Sequence, residues 1–237
     1  MPLTLYLIRH GEIEGSEFRK YTGSIDVVLS KNGIEQIKVV SRFFNKILLH
    51  KPETLRPKIS VDTEKDTQQQ MESGLLLDAI YVSPLKRAFD SAEIIAAPYR
   101  IKPFIFKELR EMSFGKWEGM TFDSIKQQYP EAFNAWTNNP FKNRPVGGES
   151  IKEVSERVIN VLHQVLSQHS SGNIAIVAHG GVNRVILCHL TGIPYEHLFR
   201  IEQDYACVNI IEFWESYPVI KALNIRPDFI YNKIKQI

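Results

Sequence analysis

Short apolar runs punctuate the chain, and between them lie longer stretches whose apolar residues recur at three- and four-residue steps. Residues 3–8 read as a buried strand that stops at Arg9-His10-Gly11. Ser30 caps the helix that follows, and Ile34, Ile37, Val40, Phe44, Ile47 and Leu48 form its apolar stripe. Residues 77–82 read as a second strand, after which Ser83-Pro84 supplies a cap and a first-turn proline to another helix. A third strand is expected over 101–106. Ser150 and Glu153 spell a capping box for a helix carried by Ile151, Val154, Val158, Leu162 and Val165. Residues 174–178 give a further strand, then His179-Gly180-Gly181 and a helix through Leu190, and 206–213 the last strand.

Strands alternating with helices predict an α/β fold: a mostly parallel sheet between two helical layers, a three-layer sandwich. The 237 residues suit one domain spanning 1–237. Two stretches break the alternation. Residues 51–74 are polar and without period, and read as a surface insertion. Residues 108–148 carry Phe114, Trp117, Phe122, Tyr129, Phe133, Trp136 and Phe141, and read as a small, partly helical lobe on the substrate side.

Composition narrows the function classes. The formal charge is 29 − 27 = +2 and the basic residues are dispersed, so neither nucleic acid nor a membrane surface is an expected partner. No stretch approaches the ~20 apolar residues of a membrane span, and the N-terminal run has no basic lead, so a cytoplasmic location is expected. The two cysteines, Cys188 on an expected helix and Cys207 on an expected strand, make no disulfide scaffold and no cysteine-ligated metal site. No expectation for oligomeric state follows, because an interface need not differ in composition from ordinary surface.

The chemistry-bearing residues fall at expected strand ends. Arg9 and His10 end the first strand, Arg87 follows the second, Glu111 follows the third, and His179-Gly180 follows the 174–178 strand. In an open parallel sheet ligands bind beyond the carboxyl ends of the strands, so Arg9, His10, Arg87 and His179 would face one crevice with Glu111 close by. Two arginines and two histidines repel one another unless an anion lies between them. Guanidinium forks fit phosphate oxygens, and helix N-termini at Pro84 or Gly180 add N–H donors. The constellation suggests phosphoryl transfer through a phosphohistidine, with surrounding cations favouring the neutral imidazole. Glu111 could give the leaving group its proton and then activate water. Each residue alone has a plainer reading as a solvated charge or a turn. His50, His163, His169, His189 and His197 show no paired ligand spacing, and neither a glycine-rich phosphate loop nor a zinc motif is present.

Leu7-Ile8-Arg9-His10-Gly11-Glu12, Tyr21-Thr22-Gly23, the run from Leu29 to Gln36, Ser83-Pro84-Leu85-Lys86-Arg87-Ala88, Leu109-Arg110-Glu111-Met112 and Ala178-His179-Gly180-Gly181 follow one another along the chain. In this order they resemble the histidine phosphatase (phosphoglycerate mutase-like) superfamily. The resemblance implies that fold, His10 as the phosphorylated nucleophile, Arg9, Arg87, His179 and Gly180 around the phosphate, Glu111 as proton donor, and no metal or other cofactor. It sets Thr22 and Gly23 where the substrate is contacted, and Ser16 where many members carry Asn. The stretch from Glu111 to Gly119, with Gly147-Gly148-Glu149-Ser150, resembles the phosphatase branch and most of all alpha-ribazole phosphatases. The implied activity is a metal-independent phosphomonoesterase of a small phosphorylated metabolite, with alpha-ribazole 5'-phosphate as one candidate. A phosphoglycerate mutase and a non-catalytic phospho-ligand binding protein are the alternatives. Specificity is expected in the lobe and the loop 13–24, with Lys116 and Arg144 the cations available there for a second anionic group.

Overall fold

The computed structural model describes residues 2–49 and 77–228, so the stretch read as a surface insertion lies outside it. A six-stranded sheet runs in the order β3-β2-β4-β1-β5-β6. Its strands are β1 (Leu3–Arg9), β2 (Ala79–Val82), β3 (Phe104–Ile105), β4 (Gly172–Ala178), β5 (Val208–Trp214) and β6 (Tyr217–Ile225). The first four are mutually parallel, whereas β5 runs antiparallel to β1 and β6 antiparallel to β5.

The pleat divides the core in two. Leu3, Leu5 and Leu7 of β1, with Ile174, Ile176 and Ala178 of β4, face one buried cluster together with Val154, Val158, Leu162 and Val165 of α5 (Ile151–Ser167) and Val182, Val185 and Ile186 of α6 (Gly180–Thr191). Tyr6, Ile8, Ala175 and Val177 face the other, against Ile37, Val40 and Phe44 of α1 (Lys31–Leu49) and Ala88, Ala92 and Ile95 of α2 (Lys86–Ala96). Burial on both faces explains why the central strands read as continuous apolar runs. Two short helices, α3 (Phe122–Gln128) and α4 (Pro130–Asn138), build the lobe around buried Trp117, Ile125, Phe133 and Trp136.

Four local expectations are corrected. Ser83 does not cap α2, which opens at Lys86 behind Leu85 with no side-chain cap; the Ser83 hydroxyl is bonded elsewhere, as described below. The third strand is two residues long, because Phe104 and Ile105 lie on an exposed edge. The chain beyond Phe213 does not leave the sheet: it turns at Glu215, whose φ is 58°, and returns as β6. Cys207 sits one residue ahead of β5 rather than within it.

Candidate active site

Strand register assembles the site. Arg9 stands opposite Ala178 and Val82 opposite Val177, so the next residues along each strand, His10, His179 and Ser83, leave the sheet side by side. Backbone bonds continue the ladder one step further, from His10 N–H to Ala178 (3.1 Å) and from Ser83 N–H to Val177 (3.2 Å).

His10 is 3% exposed. Its Nδ1 lies 2.7 Å from the Gly11 carbonyl, which can only accept, so Nδ1 carries the ring proton and Nε2 keeps a lone pair. That lone pair accepts from Arg87 Nε at 3.3 Å. Burial first, then the charges of Arg87 and Arg9, hold the imidazole well below its ordinary pKa. The His179 ring stands edge-on to it with centroids 5.1 Å apart, and is likewise held well below the ordinary range, chiefly by burial and then by Arg87. Ser83 Oγ is 2.7 Å from His179 Nε2 and accepts from Leu85 N–H at 3.3 Å. A hydroxyl proton given to Nε2 satisfies both contacts and places the His179 ring proton on Nδ1.

Arg87 is fully buried, and its Nη1 and Nη2 donate to the carbonyls of Ile25 and Gly23, each at 2.7 Å. Gly23 has φ +50°, and a Cβ there would stand 2.5 Å from Glu118 Oε1, so only glycine lets this loop close over the arginine. Glu118 in turn accepts from Ser24 N–H (2.9 Å) and Phe114 N–H (3.0 Å), and Tyr21 exchanges backbone bonds with Met120 and Gly119. The Thr22-Gly23 turn is thereby stitched to the lobe. Ser16 opens a short 3-10 turn between Gly15 and Arg19, and its backbone bonds to Ile13 and Arg19 stay inside its own loop. Among the described residues it makes no bond to the other site residues. Arg144 pairs with Glu153 at 3.0 Å and Lys116 is exposed.

Arg9 donates through Nη1 to the Gln203 carbonyl and lies 3.9 Å from the centre of the Tyr205 ring, a cation–π contact. Tyr205 also faces the His10 ring at 5.6 Å. Glu111 reaches the start of α6: Oε2 accepts from Gly181 N–H at 3.1 Å and Oε1 from its neighbour Met112 N–H at 2.9 Å. A Cβ on Gly181 would stand 2.6 Å from Oε1. The space at Gly180 is closed by Arg184 Nη1 and Arg9 Cζ, which a Cβ there would meet at 3.2 and 3.5 Å.

Arg9, His10, Arg87, His179, Gly180 and Glu111 thus come together beyond the end of the parallel strands. Arg9 Nε and His179 Nδ1 are buried and find no hydrogen-bond partner among the described residues. Buried donors without partners beside two guanidinium groups suit a polyoxyanion, which accepts several such bonds at once. Ser83, Arg184, Gln203 and Tyr205 belong to this neighbourhood although the sequence did not single them out as site residues. Ser83 lies in the Ser83–Ala88 motif, where the following proline makes it read as a helix cap. Tyr205 and Gln203 precede an antiparallel strand and carry no local signal.

The family model of the histidine phosphatase superfamily (branch 1) matches residues 5–52 and 66–226. Phosphoserine phosphatase 1 of Hydrogenobacter thermophilus is 29% identical over 93% of this chain and 92% of its own length. The adenosylcobalamin/alpha-ribazole phosphatase of Escherichia coli is 27% identical over 94% and 97%. The crystal structure of the alpha-ribazole phosphatase from Shigella flexneri superposes with a TM-score of 0.75 at 27% identity, covering 94% of this chain and 96% of that one.

Proposed function

Since the chain belongs to branch 1 of the histidine phosphatase superfamily and is a phosphatase, we propose that it hydrolyses a small phosphate monoester without a metal, through a phosphohistidine on His10. The observation that carries this reading is the His10 imidazole: buried, proton fixed on Nδ1 by Gly11, Nε2 lone pair directed at a buried guanidinium.

The phosphoryl group enters between Arg9, Arg87 and His179, takes hydrogen bonds from them, and displaces the Arg87 Nε contact from His10 Nε2. Nε2 attacks phosphorus as the ester P–O bond breaks, and the departing oxygen takes a proton from the Glu111 carboxyl. The fixed cations stabilise charge spread over the equatorial oxygens. Water then gives a proton to the Glu111 carboxylate while its oxygen attacks phosphorus. The N–P bond breaks, phosphate leaves, and His10 returns neutral. A general acid contributes about 10²–10⁴-fold to such a step.

The names of the relatives make phosphoserine and alpha-ribazole 5'-phosphate the first substrates to try. The experiment is hydrolysis of p-nitrophenyl phosphate with a chelator present, followed by those two esters and the phosphoglycerates. Activity is expected to survive the chelator and to fall by about a thousandfold or more in His10→Ala. Unchanged turnover in that variant would overturn the phosphohistidine, and interconversion of 2- and 3-phosphoglycerate would select a mutase.

A further inference from the structure

Glu111 lies on a stretch with little regular structure of its own, a single 3-10 turn (Lys107–Leu109) and then irregular chain. What holds that stretch comes from α5. Arg157 Nη1 donates to the carbonyls of Glu108 and Arg110, the latter at 2.8 Å, and Nη2 donates to the carbonyl of Glu111 at 3.3 Å. Its Nε and Nη2 also form a two-pronged pair with Glu149, at 2.9 and 3.0 Å. Glu149 closes the other side, where Oε2 accepts from Ser113 N–H at 2.9 Å and its own N–H donates to the Ser113 carbonyl at 2.8 Å. Among the described residues the guanidinium's bonds go to Glu149 and to the backbone of 108–111, and none of them goes to its own helix.

The pair is largely withdrawn from water, with side chains 12% and 16% exposed. Desolvation makes such a pair a poor source of net stability compared with apolar side chains of the same volume, so a role in fixing geometry deserves a direct test. Burial alone would raise the Glu149 pKa, but the hydrogen bonds and charge of Arg157, with Ser113 N–H and the nearby Arg110, together outweigh it and hold the carboxyl below the usual range, so the pair stays charged at neutral pH.

We propose that the Arg157–Glu149 pair positions the Glu111 carboxyl for proton delivery, by clamping the backbone on both sides of Glu111 while Gly181 N–H fixes the carboxyl itself. The proposal rests on the reading of Glu111 as proton donor. Arg157 and Glu149 are positioning residues and touch neither the phosphoryl group nor the leaving group. A displaced donor matters only when the departing oxygen is basic, and a misplacement on the order of 1 Å costs about a hundredfold.

The test compares kcat/KM, which covers the steps through phosphohistidine formation, for p-nitrophenyl phosphate and for a simple alkyl phosphate. The variants are Arg157→Lys, which keeps the charge and loses the fork, and Glu149→Gln, with Glu111→Gln as the reference and circular dichroism confirming folding. Both clamp variants are expected to lose about ten- to a hundredfold on the alkyl ester and no more than about threefold on the aryl ester. The same leaving-group signature is expected, larger, in Glu111→Gln. The signature in Glu111→Gln alone, or an equal loss on both esters in the clamp variants, would overturn the positioning role and leave Glu111 as donor. Its absence in Glu111→Gln would instead remove the donor reading on which the proposal stands.

Discussion

His10 and His179 are the residues whose chemistry depends most on being buried. Both are held well below the ordinary imidazole pKa of 6.5, by burial first and neighbouring arginine charge second. In the unfolded chain both recover the ordinary value. Above about pH 6.5 folded and unfolded chains are therefore neutral at these positions and folding is insensitive to pH through them. Below it the unfolded chain binds two protons that the folded chain refuses, so stability falls as pH falls. The slope approaches about 2.7 kcal/mol per pH unit for two groups, until the folded pKa values are reached. Imidazole resonances of the two rings are expected to remain neutral in NMR titrations carried below pH 6.5, and urea midpoints to drop between pH 7.5 and 5.5. A ring that titrates at or above 6.5 would contradict the burial argument.

At the scale of elements, the two-faced burial of β1 makes a sharp prediction. Leu7 is fully buried in the cluster under α5 and α6. Leu7→Ala removes that packing two residues before Arg9, and is expected to destabilise the fold by about 2–5 kcal/mol in chemical denaturation. A cost below about 1 kcal/mol would show that the site can collapse around the cavity. What was legible in the sequence follows the same physics. The Ser150–Glu153 capping box and the Ser30 cap are local hydrogen bonds, and both elements begin where the residues said they would. Ser83-Pro84 failed as a cap because a tertiary partner, His179, takes the hydroxyl. β6 was illegible because it is a half-buried edge strand containing Pro218, with no clean alternation. Arg9, His10, Arg87, Glu111 and His179 were readable because each follows an apolar run, and the sheet converts that position into proximity. Tyr205 meets His10 and Arg9 by ring contact across the fold, and Arg157 meets the Glu111 stretch by side-chain contact across it, which leaves no local mark.

Across the whole molecule, the site is tied to a buried polar knot between the two ends of the chain. Asn209, fully buried on β5, donates to the Leu7 carbonyl at 3.0 Å and to Gln203 Oε1 at 2.8 Å, while its Oδ1 accepts from Gln203 Nε2 and from Asn224 N–H. Gln203 in turn offers its carbonyl to Arg9. Asn209→Ala leaves several buried groups without partners and is expected to cost about 3 kcal/mol of global stability, with weakened inhibition by inorganic phosphate as Arg9 loosens. Unchanged stability would mean that water replaces the amide. The knot also orders events in time. Arg9 precedes Gln203 by 194 residues, and β1 pairs on both sides with strands made long after it. β1 is therefore made before both strands that flank it, and His10 has nothing to be held against until β4 and β5 have followed. On the proposed mechanism, a polypeptide still short of β4 lacks His179 and the strand against which His10 is held, and is expected to be inactive.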